Sequence, residues 1–70
     1  MEEFLKFIAG ILEVEKDTLS LDTEQSDVET WDSLMQLRLV GEIETKYGIK
    51  IPMDKISKLT TLRDFYQYIE

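Results

Sequence analysis

Phe4, Ile8, Ile11 and Leu12 recur at helical spacing, with Leu5 and Phe7 beside them, and predict an amphipathic first helix from residue 2 to about 14. Gly10 weakens this helix without ending it. Residues 15 to 31 hold no sustained period and are rich in Asp, Glu, Thr and Ser, which predicts a long loop anchored to the core by Leu19, Leu21 and Val28. The second helix runs from about Ser33 to Tyr47 and stops at Gly48, a residue suited to the left-handed position after a helix. At 100° per residue, Met35, Leu39, Val40, Ile43 and Tyr47 share one arc, the core face, and Gln36 falls inside it. Leu34, Leu37, Arg38, Gly41 and Thr45 lie on the other side, where the leucines have no core to join.

Ile49-Lys50-Ile51-Pro52 then crosses as extended chain. Asp54 is expected to cap a short helix through about Ser57, with Ile56 and Leu59 pointing inward. Thr60 or Thr61 caps a final helix, with Asp64 in its first turn and Leu62, Phe65, Tyr66 and Ile69 on one face. No strand pattern, internal repeat or low-complexity run interrupts the helical periods. The expected fold class is all-α: a bundle of three main helices plus one short helix, with a long loop between helices 1 and 2.

Length makes this a single domain over residues 1–70, held by packing alone, since the 70 residues include no cysteine. A core of that size leaves a margin of about 3–5 kcal/mol. No apolar run approaches a membrane span, and the acidic start Met1-Glu2-Glu3 is unlike a secretory leader, so a cytoplasmic protein is expected and no membrane contact. A net charge of −7 excludes nucleic acid as a partner and favours basic proteins. The acids are concentrated: residues 13–32 hold eight against the single base Lys16, whereas residues 33–63 hold six bases against three acids. The acidic loop lacks the regular D-x-D-x-D-G order of a calcium loop, so it reads as a solvated charge run and no metal site is expected.

Candidate chemistry narrows to one residue. The chain has no histidine and no cysteine, and a lone serine hydroxyl is a poor nucleophile without a base, so no catalytic residue is expected. Ser33 opens the most regular helix of the chain, where backbone N–H groups lack partners and the helix dipole is positive. A phosphodiester on Ser33 would meet favourable donors there, so the serine reads as an attachment point. The plainer alternative is an ordinary N-cap serine in a small acidic helical module.

Trp31-Asp32-Ser33-Leu34 carries the tripeptide Asp-Ser-Leu, and the pattern continues through Leu37, Leu39-Val40, Glu42-Ile43-Glu44, Tyr47-Gly48-Ile49, Ile51-Pro52, Leu59-Thr60-Thr61-Leu62 and Tyr68-Ile69. In these residues the chain resembles the acyl carrier protein family from end to end. The resemblance implies a stand-alone, monomeric carrier with 4′-phosphopantetheine attached to Ser33 from coenzyme A by a phosphopantetheinyl transferase. Its terminal thiol would hold acyl groups as thioesters for acyl-loading and acyl-transfer enzymes. Asp32 would orient the transferase. Leu34, Leu37, Arg38 and Gly41 would form the partner surface, an exposed apolar patch beside the attachment residue.

Family carriers often shelter the acyl chain between their helices. Gln36 is therefore either a partly exposed surface residue or a polar group at the mouth of such a cavity. Trp31 either anchors the loop on the core or touches the prosthetic group. Fatty acid carriers usually have acids along the second helix, and Met35 and Arg38 stand at two of those positions, which suggests a dedicated pathway such as a secondary-metabolite or surface-polysaccharide route. Two alternatives remain open: an aminoacyl or peptidyl carrier, although Thr30-Trp31-Asp32-Ser33 lacks the Gly-Gly-x-Ser pattern common there, and a cofactor-free acidic adaptor.

Overall fold

The computed structural model describes residues 1–69; Glu70, the last residue of the expected domain, lies outside them. Helix α1 spans Glu2–Leu12 and buries Phe4, Leu5, Ile8, Ala9, Ile11 and Leu12, while Glu2 and Glu3 sit at its positive end. It stops two residues earlier than its apolar spacing predicts. Glu13 takes the left-handed conformation at φ 60°, and its N–H and that of Val14 both donate to Ala9 O. Helix α2 spans Ser33–Tyr47 as expected and ends the same way, with Gly48 at φ 64° and the Gly48 and Ile49 N–H groups on Glu44 O. The two endings share one geometry. One uses the glycine that fits it, and the other places a Cβ where L-residues incur a cost of about 1–2 kcal/mol.

The segment joining α1 to α2 is more structured than its composition implies. Short 3₁₀ turns occupy Lys16–Thr18 and Gln25–Asp27, and Leu19 and Val28 are buried as anchors while Leu21 is partly buried. A backbone clasp then ties the loop to the end of the chain. Gln25 N–H donates to Thr60 O at 2.9 Å, Leu62 N–H to Thr23 O at 3.2 Å and Arg63 N–H to Leu21 O at 2.8 Å. The Arg63 guanidinium adds an ion pair to Asp22 at 2.8 Å.

Residues 49–52 run extended, as expected, with Ile51 buried and its N–H on the Glu44 carboxylate at 2.8 Å. The short helix is a 3₁₀ helix over Met53–Lys58, and Pro52, not Asp54, precedes it; Asp54 lies in its first turn and caps nothing. Proline's fixed φ starts the segment without a side-chain cap. Helix α3 spans only Leu62–Tyr66, shorter than a face reaching Ile69 predicts, because Tyr68 and Ile69 donate three residues back, to Phe65 O and Tyr66 O, in a tighter turn. Leu62 and Phe65 are buried, and Tyr66 and Ile69 are partly so. The architecture is an all-α bundle around one apolar cluster. No helix among the described residues is long and apolar enough to cross a membrane.

Both threonines serve the start of α3. Thr61 Oγ1 accepts from Asp64 N–H at 3.3 Å, and the Asp64 carboxylate accepts from the Thr60 and Thr61 N–H groups at 2.9 and 3.1 Å. Partial burial pushes the Asp64 pKa up, but the Thr60 and Thr61 donors together outweigh it and hold the carboxyl below its ordinary value. A lowered folded pKa means the charged form stabilises the fold. The contribution is complete above the ordinary carboxylate pKa and is lost as pH falls through the lower folded value. Asp64→Ala is expected to cost about 1 kcal/mol at pH 7. The deficit should shrink toward pH 3, as read by urea unfolding at the two pH values.

Candidate functional site

The entrance to α2 assembles the expected site. Asp32 is the N-cap: its backbone is extended and its Oδ1 accepts from Met35 N–H at 2.8 Å, while Gln36 N–H donates to Asp32 O. Ser33 is therefore the first helical residue and not a cap, which removes the ordinary reading of it as an N-cap serine. Its side chain is exposed and its hydroxyl is not engaged in capping. With Met35 and Gln36 satisfied, the Ser33 and Leu34 amides are the donors left for a group held at this end.

Behind the serine lies a side-chain arrangement that the sequence does not announce. Trp31 is buried with its ring 6.0 Å from that of Phe65, so it anchors the loop on the core. Its indole Nε1 donates to Gln36 Oε1 at 2.6 Å, and Gln36 Nε2 donates to Ile56 O at 2.8 Å and Leu59 O at 2.9 Å. Gln36 is 8% exposed, not the partly exposed surface residue that helical phase allowed. Its amide is committed to the protein, because the buried Trp31 N–H and Leu59 O would otherwise lack partners, whereas Ile56 O also accepts from Leu59 N–H. The detectable signal was a polar residue on an apolar arc, five positions after a tryptophan.

Ser33 stands between two surface grooves. One, of about 490 Å³, runs between α2 and the Met53–Lys58 segment past Ser33, Gln36, Leu37, Met53 and Ile56. The other, of about 530 Å³, lies toward Asp32, Leu34, Met35 and Arg38, and Leu37 borders both. Leu34 is 78% exposed and Leu37 is also exposed, so both stand free of the core. Met53 is 86% exposed and joins this apolar rim. Sequence reasoning missed it, because a methionine in a short segment gives no sign of which way it faces.

Arg38 reaches Glu42 at 3.7 Å with both side chains about half exposed, a pairing of small energetic weight. Gly41 is exposed, and a Cβ built on it would meet no atom within 4 Å, so packing does not require glycine there. Asp32, Ser33, Leu34, Leu37 and Arg38 thus occupy the cap and first two turns of α2, with Gly41 one turn further. Among the described residues, no three carboxylates gather closely enough to hold a metal ion. The site offers an accessible hydroxyl, free helix amides and flanking apolar grooves, which suits covalent attachment of a long anionic linker better than bond-breaking chemistry.

Comparison with known proteins gives the family. The family described as "Phosphopantetheine attachment site" matches residues 2–69. An acyl carrier protein of Treponema denticola is 37% identical, over 93% of this chain and 83% of its own length. One from Rickettsia canadensis is 32% identical over 99% of this chain and 80% of its own length. Another from Tropheryma whipplei is 35% identical over 97% and 88%.

Proposed function

We propose that this chain, which belongs to the acyl carrier protein family and is a phosphopantetheine-bearing carrier rather than an enzyme, holds its prosthetic group on Ser33. The observation that carries this reading is the position of Ser33: an exposed hydroxyl on the first residue of α2, beside two amides without helical partners and freed from capping by Asp32. When bound, the group supplies a terminal thiol for acyl thioesters. The chain's own part is to bind and present it: the Ser33 and Leu34 N–H groups favour the phosphodiester, and the helix dipole adds to that attraction.

A phosphopantetheinyl transferase acts on a single domain, residues 1–70, with Asp32 orienting that enzyme and Leu34, Leu37, Arg38 and Gly41 forming the surface met by acyl-loading and acyl-transfer partners. The setting is cytoplasmic and the carrier monomeric. Intact mass after incubation with coenzyme A, Mg²⁺ and a transferase tests the attachment. The expected result is a gain of one phosphopantetheine; no gain with several transferases overturns it.

The pathway we propose is a dedicated one. Met35 and Arg38 stand where fatty acid carriers usually offer carboxylates, and charge at the edge of an interface chiefly sets encounter rate and discrimination. Arg38 stays available to a partner, since its contact with Glu42 is long and exposed. The holo protein is expected to be a poor substrate for a malonyl transferase or ketosynthase of fatty acid synthesis. Arg38→Glu with Met35→Asp should raise the initial acylation rate about tenfold, or about 1.4 kcal/mol. A wild type acylated as fast as a fatty acid carrier, at matched salt, removes the support for a dedicated route.

A further inference from the structure

A groove of about 530 Å³ runs between α1 and α2, lined by Phe7, Gly10 and Ile11 and by the bases Lys6, Arg38 and Lys46. At Arg38 it meets the groove that passes Asp32, Leu34 and Met35. Three of the eight bases of a chain with net charge −7 thus gather here, and the protein's own acids do not consume them. Among the described residues no carboxylate pairs with Lys6 or Lys46, and Arg38 meets Glu42 at a long 3.7 Å, whereas Lys16 and Arg63 are paired at 2.7 and 2.8 Å. Even with Glu3 and Glu42 counted, the groove is positive where the rest of the chain is acidic.

The Lys46 ammonium is held over two rings, 5.1 Å from the centre of Phe7 and 5.7 Å from that of Tyr47. A cation fixed in this way has less freedom left to lose when a carboxylate arrives. Gly10 is exposed, and a Cβ built on it would meet no atom within 4 Å, so internal packing does not call for glycine. Inside a helix glycine is also less favourable than alanine. What its missing side chain leaves is room for another chain to lie against α1, beside the half-buried ring of Phe7.

We propose that this groove docks an acidic helix of a partner protein, with carboxylates set against Lys6, Arg38 and Lys46 and an apolar side chain over Gly10 and Phe7. Charge selects the partner and speeds encounter, while burial against Phe7 supplies adhesion. The site extends the partner surface from Arg38 onto α1 and does not rest on attachment at Ser33.

The test titrates the ¹⁵N-labelled full chain, without the arm, with a helical peptide of about 15 residues built from Glu, Leu and Ala, and with its Gln-for-Glu counterpart. The Glu peptide should move the backbone resonances of residues 3–11 and 38–46, leave those of residues 15–29 in place, and bind more weakly as salt rises. The Gln peptide should bind about tenfold more weakly or worse. Lys6→Glu with Lys46→Glu should weaken the Glu peptide by about tenfold, whereas Lys55→Glu with Lys58→Glu should leave it within about twofold. Gly10→Leu should raise the thermal midpoint and still weaken the peptide about tenfold, because it favours the helix while filling the groove. Absence of shifts at the groove, equal binding of the two peptides, or equal losses in the two lysine pairs overturns the proposal. So do groove resonances that move when the protein alone is concentrated, which would make the occupant a second copy. Should the Lys6 and Lys46 variant not fold, Gly10→Leu and the two peptides on wild type decide. A chain that docks the Glu peptide at the groove but never gains phosphopantetheine supports this site and overturns the attachment at Ser33.

Discussion

Ser33→Ala is expected to lose phosphopantetheine loading completely while keeping the fold. The substitution removes the oxygen that would form the phosphoester, so the loss is of the reacting group itself and not a fraction of a binding energy. Because Asp32 supplies the cap and Ser33 is exposed, stability should change by no more than about 0.5 kcal/mol. The control that matters is Ser57, which borders the same groove but lies within a six-residue 3₁₀ helix that offers no comparable amides. Ser20 lies outside any helix and accepts from Asp22 N–H, and Ser26 lies inside a 3₁₀ turn. Intact mass of Ser33→Ala and Ser57→Ala after transferase treatment separates them. Loading of Ser33→Ala at the wild-type level would place the arm elsewhere.

Trp31→Ala is expected to unfold the domain, or nearly so, at room temperature. Trp31 is 2% exposed, packs on Phe65 and holds the Gln36 carbonyl. Removing so large a buried side chain costs about 3–5 kcal/mol. A domain this small has a margin of about the same size. Trp31→Phe keeps most of the ring area and loses the N–H, which leaves Gln36 Oε1 unpaired, so its cost should be smaller, about 1–3 kcal/mol. Far-UV circular dichroism against urea reads both without the tryptophan signal. If Trp31→Ala unfolds at the wild-type urea midpoint, the ring is not a structural anchor.

Helix α2 was legible in the sequence because both of its ends are written in residue types that act locally. Ser33 opens the apolar period and Gly48 adopts φ 64° at no steric cost, so the span falls where the residues say, although the cap is Asp32, which the sequence reading did not single out as one. The end of α1 uses the same turn with a glutamate, and nothing in the identity of Glu13 announces a positive φ. The exposed leucines were legible from phase, since Leu34 and Leu37 lie opposite the core arc. The place of Gln36 in the core arc was legible too, but its partners were not, because the Ile56 and Leu59 carbonyls arrive from 20 and 23 residues away. Non-local hydrogen bonds leave no period in a sequence. The contacts of residues 21–25 with residues 60–63 are missing from the pattern for the same reason, being backbone bonds to which no side chain testifies.

That clasp also sets an order of assembly. Asp22 and Arg63 are 41 positions apart, and everything between them, α2 included, hangs in the ring they close. Bringing ends that far apart together costs about 3 kcal/mol in chain entropy, whereas α2 forms through bonds four residues long. The helix bearing Ser33 can thus take shape early, with its cap and its glycine stop already in place, while the ring closes last. During synthesis residues 20–25 are joined well before residues 60–63 exist, so the acidic loop stays unpaired until α3 has been made.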